Sequence, residues 1–373
     1  MIKKNIIRFY IWIVIFLIIF QFNAFAQIDT ITNFPKVSFI EPSFNYGFIM
    51  PHRPSMRYNI ISHIPAFEIR LSKQQQGEKF WHQYYRFPQT GLGVYYASLE
   101  NPKVLGHVYA LYAFINIPIM RRNNYTFNYE ISSGAAYLDK PYDNSKNYYN
   151  VSIGSGLNFS FNFSFDYKLK LFKRLDLVNR INIKHFSNGA FKVPNQGINV
   201  ISYNLGLNYK LNSNKPSFKR VELQKFAKKN EFYAVISGGS KEIPPPEIRN
   251  YPTASLSVNL LRQISRQRKI GFGTDIFYDE SLRTTFINKK MDYKNIEMFR
   301  GGIFLSHELV FSKVGIIVQS GVYYFSKLES DGLFYHRIGI RYFMNNNFIL
   351  NFALKSHFAR ADFIEFGVGY KIF

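Results

Sequence analysis

The sequence predicts an all-β chain: a transmembrane antiparallel β-barrel of the outer-membrane kind, with about sixteen strands in two related eight-strand halves. Three observations predict it. From about residue 43 onward, apolar and polar side chains alternate in segments of roughly 8 to 15 residues, the period of a strand with two unlike faces. Aromatic residues make up 18% of the 373 residues and charged residues only 19%, whereas disorder needs few aromatics and much charge. Only one apolar run approaches the roughly 20 residues of a membrane helix, and it lies at the N-terminus.

That run, Ile11 to Phe20, follows Lys3, Lys4 and Arg8 and leads into Ala24-Phe25-Ala26 and Gln27. A basic segment, a short apolar segment and an A-x-A site make residues 1–26 a signal peptide that is cleaved. An uncleaved anchor is the alternative, and the run is short for one. The expected destination is the outer membrane of a Gram-negative cell. Lys and Arg number 47 against 24 Asp and Glu, a formal net charge of +23. Such charge ordinarily points to nucleic acid. In an exported, membrane-embedded barrel an anionic lipid surface takes that place, and no nucleic-acid partner is expected. Cysteine is absent, which excludes disulfides, thiolate metal sites and a cysteine nucleophile.

The clearest strand is 198–211. Asn199, Ile201, Tyr203, Leu205, Leu207, Tyr209 and Leu211 share one face, and Ser202, Asn204, Gly206, Asn208 and Lys210 the other. The last segment, 362–373, alternates Ile364, Phe366, Val368, Tyr370 and Ile372 with Glu365, Gly367, Gly369 and Lys371. Lipid cannot satisfy an open sheet edge, so such strands must close into a barrel. A soluble β-sandwich also alternates, but it fits less well a face that stays apolar over five or six positions.

Connections fall into a short polar set (Arg121-Arg122-Asn123-Asn124, the stretch around Lys313, Asn345-Asn346-Asn347) and a longer set at 138–149, 187–197 and 279–297. Short turns on one side and long outer loops on the other suit the barrel. The segment 72–89 is too long for the short turn expected there. Lys184-His185-Phe186-Ser187 and its following strand echo Ser356-His357-Phe358-Ala359 and its own. That echo suggests a duplication, although barrel strands also resemble one another by composition. The expected layout is a barrel half over 27–211, a basic connector over 212–230 and a second half over 231–373. One enlarged barrel is preferred over two in tandem.

Chemistry concentrates at 183–199. In the strand before it, Leu175, Leu177, Ile181 and Ile183 form an apolar odd face, while Arg174, Asp176, Arg180, Asn182 and Lys184 are even. His185 and Ser187 are odd, so they project from the lipid side, and Asn199 lies on the apolar face of the next strand. A His two residues from a Ser on one face can take its proton and create a nucleophile. The His then needs a partner to hold its tautomer. Asn188 and the backbone near Gly189 are candidates for an oxyanion hole. The same residues also suit a strand that merely ends in polar side chains at the headgroup level.

His185-Phe186-Ser187-Asn188-Gly189-Ala190, followed by Pro194-Asn195-Gln196-Gly197, resembles the active-site segment of the lipid A 3-O-deacylase family, also called outer-membrane acyloxyacyl hydrolases. The resemblance is clearest over 183–211, extends strand by strand over 43–211, and does not reach 231–373. It implies an eight-stranded barrel that removes an ester-linked acyl chain from lipid A of lipopolysaccharide in the outer leaflet. It implies Ser187 as nucleophile, His185 as base, and Asn188 and Gly189 at the oxyanion hole, without cofactor or metal. The family's Glu falls at Asn199, a departure. Asn still hydrogen-bonds an imidazole but brings no charge to stabilise imidazolium.

In the second half Ala359 stands where Ser187 does, and parity turns His357 and Glu365 inward, where an interior His–Glu hydrogen bond is expected. His52 and Arg53, in a loop between Pro51 and Pro54, are candidates for contact with lipid phosphates. Pro244-Pro245-Pro246 reads as a stiff loop. The alternative to an esterase is a non-catalytic barrel, either a solute channel or a relic of the family in which Asn199 marks lost chemistry.

Overall fold

The computed structural model describes residues 36–218, 220–222, 226–244, 249–358 and 360–373. The signal segment 1–26, Lys219 and Lys225 of the connector, Pro245, Pro246 and Ala359 lie outside the described residues.

Sixteen strands are found among the described residues. The first eight are β1 (Ser38–Ile49), β2 (Ile64–Gln74), β3 (Gln89–Ser98), β4 (His107–Arg121), β5 (Tyr125–Leu138), β6 (Leu157–Phe172), β7 (Leu175–Ser187) and β8 (Ile198–Lys210). Each pairs antiparallel with its neighbour, and β8 returns to pair with β1, so this set closes on itself. The second set is β9 (Lys229–Glu242), β10 (Asn250–Ser265), β11 (Arg268–Asp279), β12 (Phe299–Phe311), β13 (Val314–Phe325), β14 (Phe334–Phe343), β15 (Phe348–His357) and β16 (Arg360–Lys371). It closes through β16 and β9. The chain thus forms two eight-stranded barrels, and the preference for one enlarged barrel is corrected.

The side chains inside the first barrel explain the correction. Four carboxylates, Glu41, Glu68, Glu130 and Asp166, and four cations, Arg70, Lys168, Arg180 and Lys184, are buried in its lumen. Arg70 on β2 donates to Glu41 on β1 at 3.0 Å and to Glu130 on β5. Arg180 donates to Glu41 at 2.6 Å, and Lys184 to Glu68 at 2.9 Å. Bonds that cross from β2 to β5 need a narrow lumen, and eight strands leave one just wide enough for side chains to fill. A sixteen-stranded ring would hold these charges apart in water.

Toward the long-loop end the lumen is filled by an apolar cluster that includes Met56, Tyr95, Leu105, Tyr112, Ile153, Phe186, Ile198 and Val200. Tyr112 lies over Gly93 on the adjoining strand, where a Cβ would come within 2.3 Å of its ring. Its hydroxyl thereby reaches Glu68 at 2.6 Å.

Connections follow the two expected sets. Residues 122–124 and 173–174 make short turns, and 50–63, 139–156 and 188–197 make long loops. The stretch 75–88 is long because it carries a short helix, Phe80–Tyr84, with Trp81 and His82 buried. In the second barrel the loop between β11 and β12 also holds a helix, Ser281–Asn288.

The second lumen is charged as well. Arg337 binds Asp275 at 3.1 Å and Glu365 at 2.7 Å. His357 is inward and buried as parity requires, but its partner is not Glu365. Its Nε2 lies 2.9 Å from the Tyr323 hydroxyl, and its Nδ1 lies 3.8 Å from Asp362. Glu365 is drawn instead to Arg337 and to Ser255, whose hydroxyl donates to it at 2.7 Å.

Removing one partner from a buried ion pair strands the other charge in a dry site, at a cost of about 3–5 kcal/mol. Arg70→Ala is therefore expected to lower the stability of the first barrel by that amount, read from urea titrations of heat-modifiable electrophoretic mobility. A loss below about 1 kcal/mol, typical of exposed pairs, would show that the lumen is hydrated.

Candidate active site

Two adjacent strands and two loops build the site. On β7, Arg180, Asn182, Lys184 and Phe186 are buried, whereas Ile181 and Ile183 are 61% and 47% exposed. The odd face is therefore the outer face. His185 and Ser187 continue that row to the end of the strand carrying the long loops. On β8, Asn199 heads the outward row of Ile201, Tyr203, Leu205 and Leu207, and the ladder sets it opposite His185. Phe186, between His185 and Ser187, is fully buried in the apolar cluster with Ile198 and Val200. A packed inward anchor on each strand fixes the direction of its outward neighbours.

A hydrogen-bond chain runs outward from the imidazole. His185 Nδ1 lies 2.6 Å from Oδ1 of Asn199. Asn199 Nδ2 lies 3.0 Å from Nδ1 of His52, and His52 Nε2 lies 2.8 Å from the carbonyl oxygen of Gln196. A carbonyl oxygen only accepts, so His52 carries its proton on Nε2 and its Nδ1 is bare. Bare Nδ1 must accept from the Asn199 amide nitrogen, which turns the amide oxygen toward His185. His185 therefore carries its proton on Nδ1, and its Nε2 keeps a free lone pair. The tautomer is thus set by hydrogen-bond direction.

Ser187 is held from its other side. Asn195 Nδ2 donates to Ser187 Oγ at 3.0 Å, and Asn195 Oδ1 accepts from the backbone N–H of Asn188 at 3.2 Å. The Asn188 side chain donates through Nδ2 to Ser155 Oγ at 2.9 Å. The backbone donor of Asn188 is thus engaged with Asn195. Gly189 and Ala190 follow with φ of 64° and 65°, the left-handed region that turns the chain off the strand. Gly197 has φ of 79°, and a Cβ there would stand 2.7 Å from Cε1 of His185. Glycine gives this loop both its conformation and the clearance the imidazole needs.

His185 and Asn199 thus meet, with Ser187 on the same outward face. His52 joins them through Asn199, while Arg53 stays exposed. Sequence reasoning missed Asn195 and Ser155. Asn195 lay within the quoted motif, and its fixed distance from Ser187 was the available signal. Gln196 contributes a backbone carbonyl, which no residue type reveals.

Nitrogen-15 spectra of the imidazoles are expected to show His185 protonated on Nδ1 and His52 on Nε2. Asn199→Ala removes the link, and both rings are then expected to populate mixed tautomers. An unchanged pattern in that variant would show that Asn199 does not set the tautomer.

Solved structures similar to the chain include the toluene transporter TodX of Pseudomonas putida, at 7% identity over 91% of this chain and 90% of that one, TM-score 0.18. The NanC porin shows 5% identity over 88% and 97%, TM-score 0.17, and a porin variant of Rh. blastica 6% over 91% and 100%, TM-score 0.18. At these scores the likeness stops short of a common fold. No curated protein matches the chain. Residues 66–208 match the lipid A 3-O-deacylase (PagL) family, and residues 230–373 match the acyloxyacyl hydrolase C-terminal domain. The second match takes in the half to which the sequence resemblance did not extend. The two matches together reach from β2 to the last residue, and the chain belongs to the acyloxyacyl hydrolase, or lipid A 3-O-deacylase, family.

Proposed function

We propose that this protein is an outer-membrane serine esterase that removes an ester-linked acyl chain from lipid A of lipopolysaccharide. The observation that carries the reading is the outward-facing His185, its Nδ1 held by Asn199 at 2.6 Å, two residues from Ser187 within a stretch that matches a deacylase family.

In this reading Ser187 Oγ attacks the ester carbonyl and passes its proton to the bare Nε2 of His185. The imidazolium returns that proton to the departing sugar hydroxyl, and water releases the fatty acid from the acyl-serine by the same route reversed. Asn199 keeps the imidazole in the productive tautomer, as Asn does in Cys-His-Asn proteases, and His52 keeps Asn199 in the productive orientation. Asn195 positions the serine oxygen. Asn188 and Gly189 are assigned to the oxyanion hole. Exposed Arg53 is assigned to lipid phosphate, which a guanidinium binds well. The filled lumen of the first barrel supports this reading over that of a solute channel.

Ser187→Ala is expected to leave a heat-modifiable barrel and to abolish fatty-acid release from lipopolysaccharide, followed by mass spectrometry of lipid A. Release at the wild-type rate would overturn the assignment. Asn199→Ala is expected to lower kcat by about 10²-fold with KM little changed, the scale of a mispositioned general base. Gly197→Ala is expected to act in the same direction by pushing the imidazole aside. Full activity in both variants would remove His185 from the mechanism.

A further inference from the structure

The outer wall of the second barrel carries a polar row of its own. On β13, Ile316, Val318, Ser320, Val322 and Tyr324 alternate with the buried Ile317, Gln319, Gly321 and Tyr323. On β14, His336 shares the outward face with Phe334, Ile338 and Ile340. The ladders place His336 opposite Ser320 on one side and opposite Ser356 of β15 on the other. The Ser320 hydroxyl lies 3.0 Å from Nδ1 of His336. Phe358 packs edge-on to His336 with ring centres 5.5 Å apart, and Phe334 edge-on to Phe358 at 6.2 Å. Val318, Ile338 and Phe358 around the row are 48%, 44% and 66% exposed.

A row of two hydroxyls and an imidazole facing hydrocarbon costs free energy that a greasy side chain would not, and an ionisable group in such a wall is by default a functional one. We propose that Ser320 and His336 form a second acyl-transfer pair, acting on a long-chain carboxylic ester of a membrane lipid and independent of Ser187. With the imidazole proton on Nε2, Nδ1 accepts the Ser320 proton. Ser320 Oγ attacks the ester carbonyl carbon, and His336 takes the hydroxyl proton. The ester C–O bond breaks, and the leaving alcohol carries that proton away. Water then attacks the acyl-serine, giving its proton to His336 and releasing the carboxylic acid as Ser320 regains its hydrogen. Val318 and Ile338 offer the acyl chain an apolar bed, and Ser356 flanks the imidazole on the other strand.

Ser320 lies in mid-strand, where ladder hydrogen bonds engage the backbone N–H groups that would otherwise serve an oxyanion. Losing one such donor slows acyl transfer by about 10²–10³-fold, so this pair is expected to be the slower of the two.

The test is to treat the full chain, folded in detergent micelles, with a long-chain alkyl fluorophosphonate and to map adducts by peptide mass spectrometry. The expected result is an adduct on Ser320 that forms about 10²-fold more slowly than one on Ser187, and that is lost in His336→Gln while heat-modifiable mobility is kept. No Ser320 adduct in the wild-type chain once Ser187 is fully labelled and the incubation extended about 10³-fold would overturn the proposal. So would an adduct that forms equally fast in folded His336→Gln. Ser187→Ala, run beside it, deletes the first adduct alone, so the two sites stand or fall separately.

Discussion

The seam between β1 and β8 is the interaction on which the first barrel and its candidate site both depend. It joins strands more than 150 residues apart in sequence, with Phe39 opposite Lys210 and Ile49 opposite Val200. In hydrocarbon an unpaired strand edge would leave several polar groups without partners, each costing several kcal/mol, so the seam is a condition of insertion. Beyond its last pair, Met50 N–H donates to the carbonyl of Asn199 at 2.8 Å. That bond carries the next residues over the start of β8 and lands His52 on the Asn199 amide. Closing the barrel is therefore also what completes the hydrogen-bond chain behind His185.

Much of this architecture is legible in sequence because side-chain parity along a strand is a local property. The odd face of 175–187 and the outward row of 199–211 read directly as lipid-facing, and His185, Ser187 and Asn199 stand out as polar exceptions in a greasy row. The number of barrels is not local. It depends on which distant strand supplies the closing edge, and alternation is the same in eight strands as in sixteen. The information was present in another form. The inward charges of the first half balance among themselves, and Arg70 can meet Glu130, and Lys184 Glu68, only across a narrow lumen.

The site was legible in part for the same reason. The pairing of His185 with Asn199 is a register between neighbouring strands, and a sequence reader can count it. The link from Asn199 to His52 crosses 147 positions and the seam, so His52 reads from sequence only as a loop histidine beside Arg53. For the inward His357 parity was right and the partner wrong. Several carboxylates, Asp275, Asp279, Glu308, Asp362 and Glu365 among them, are buried in that half, and the nearest cations decide which are taken. Arg337 claims Glu365, leaving Asp362 nearer the imidazole.

For the esterase proposed above, the outward direction of His185 and Ser187 has a kinetic consequence. A molecule meeting them comes sideways through the leaflet instead of down from solution, so its effective concentration is a mole fraction in a two-dimensional fluid. Rates measured in micelles should then fall as inert detergent dilutes the substrate at constant bulk molarity. Changes in lipid packing around the wall would govern turnover as directly as any change in the loops.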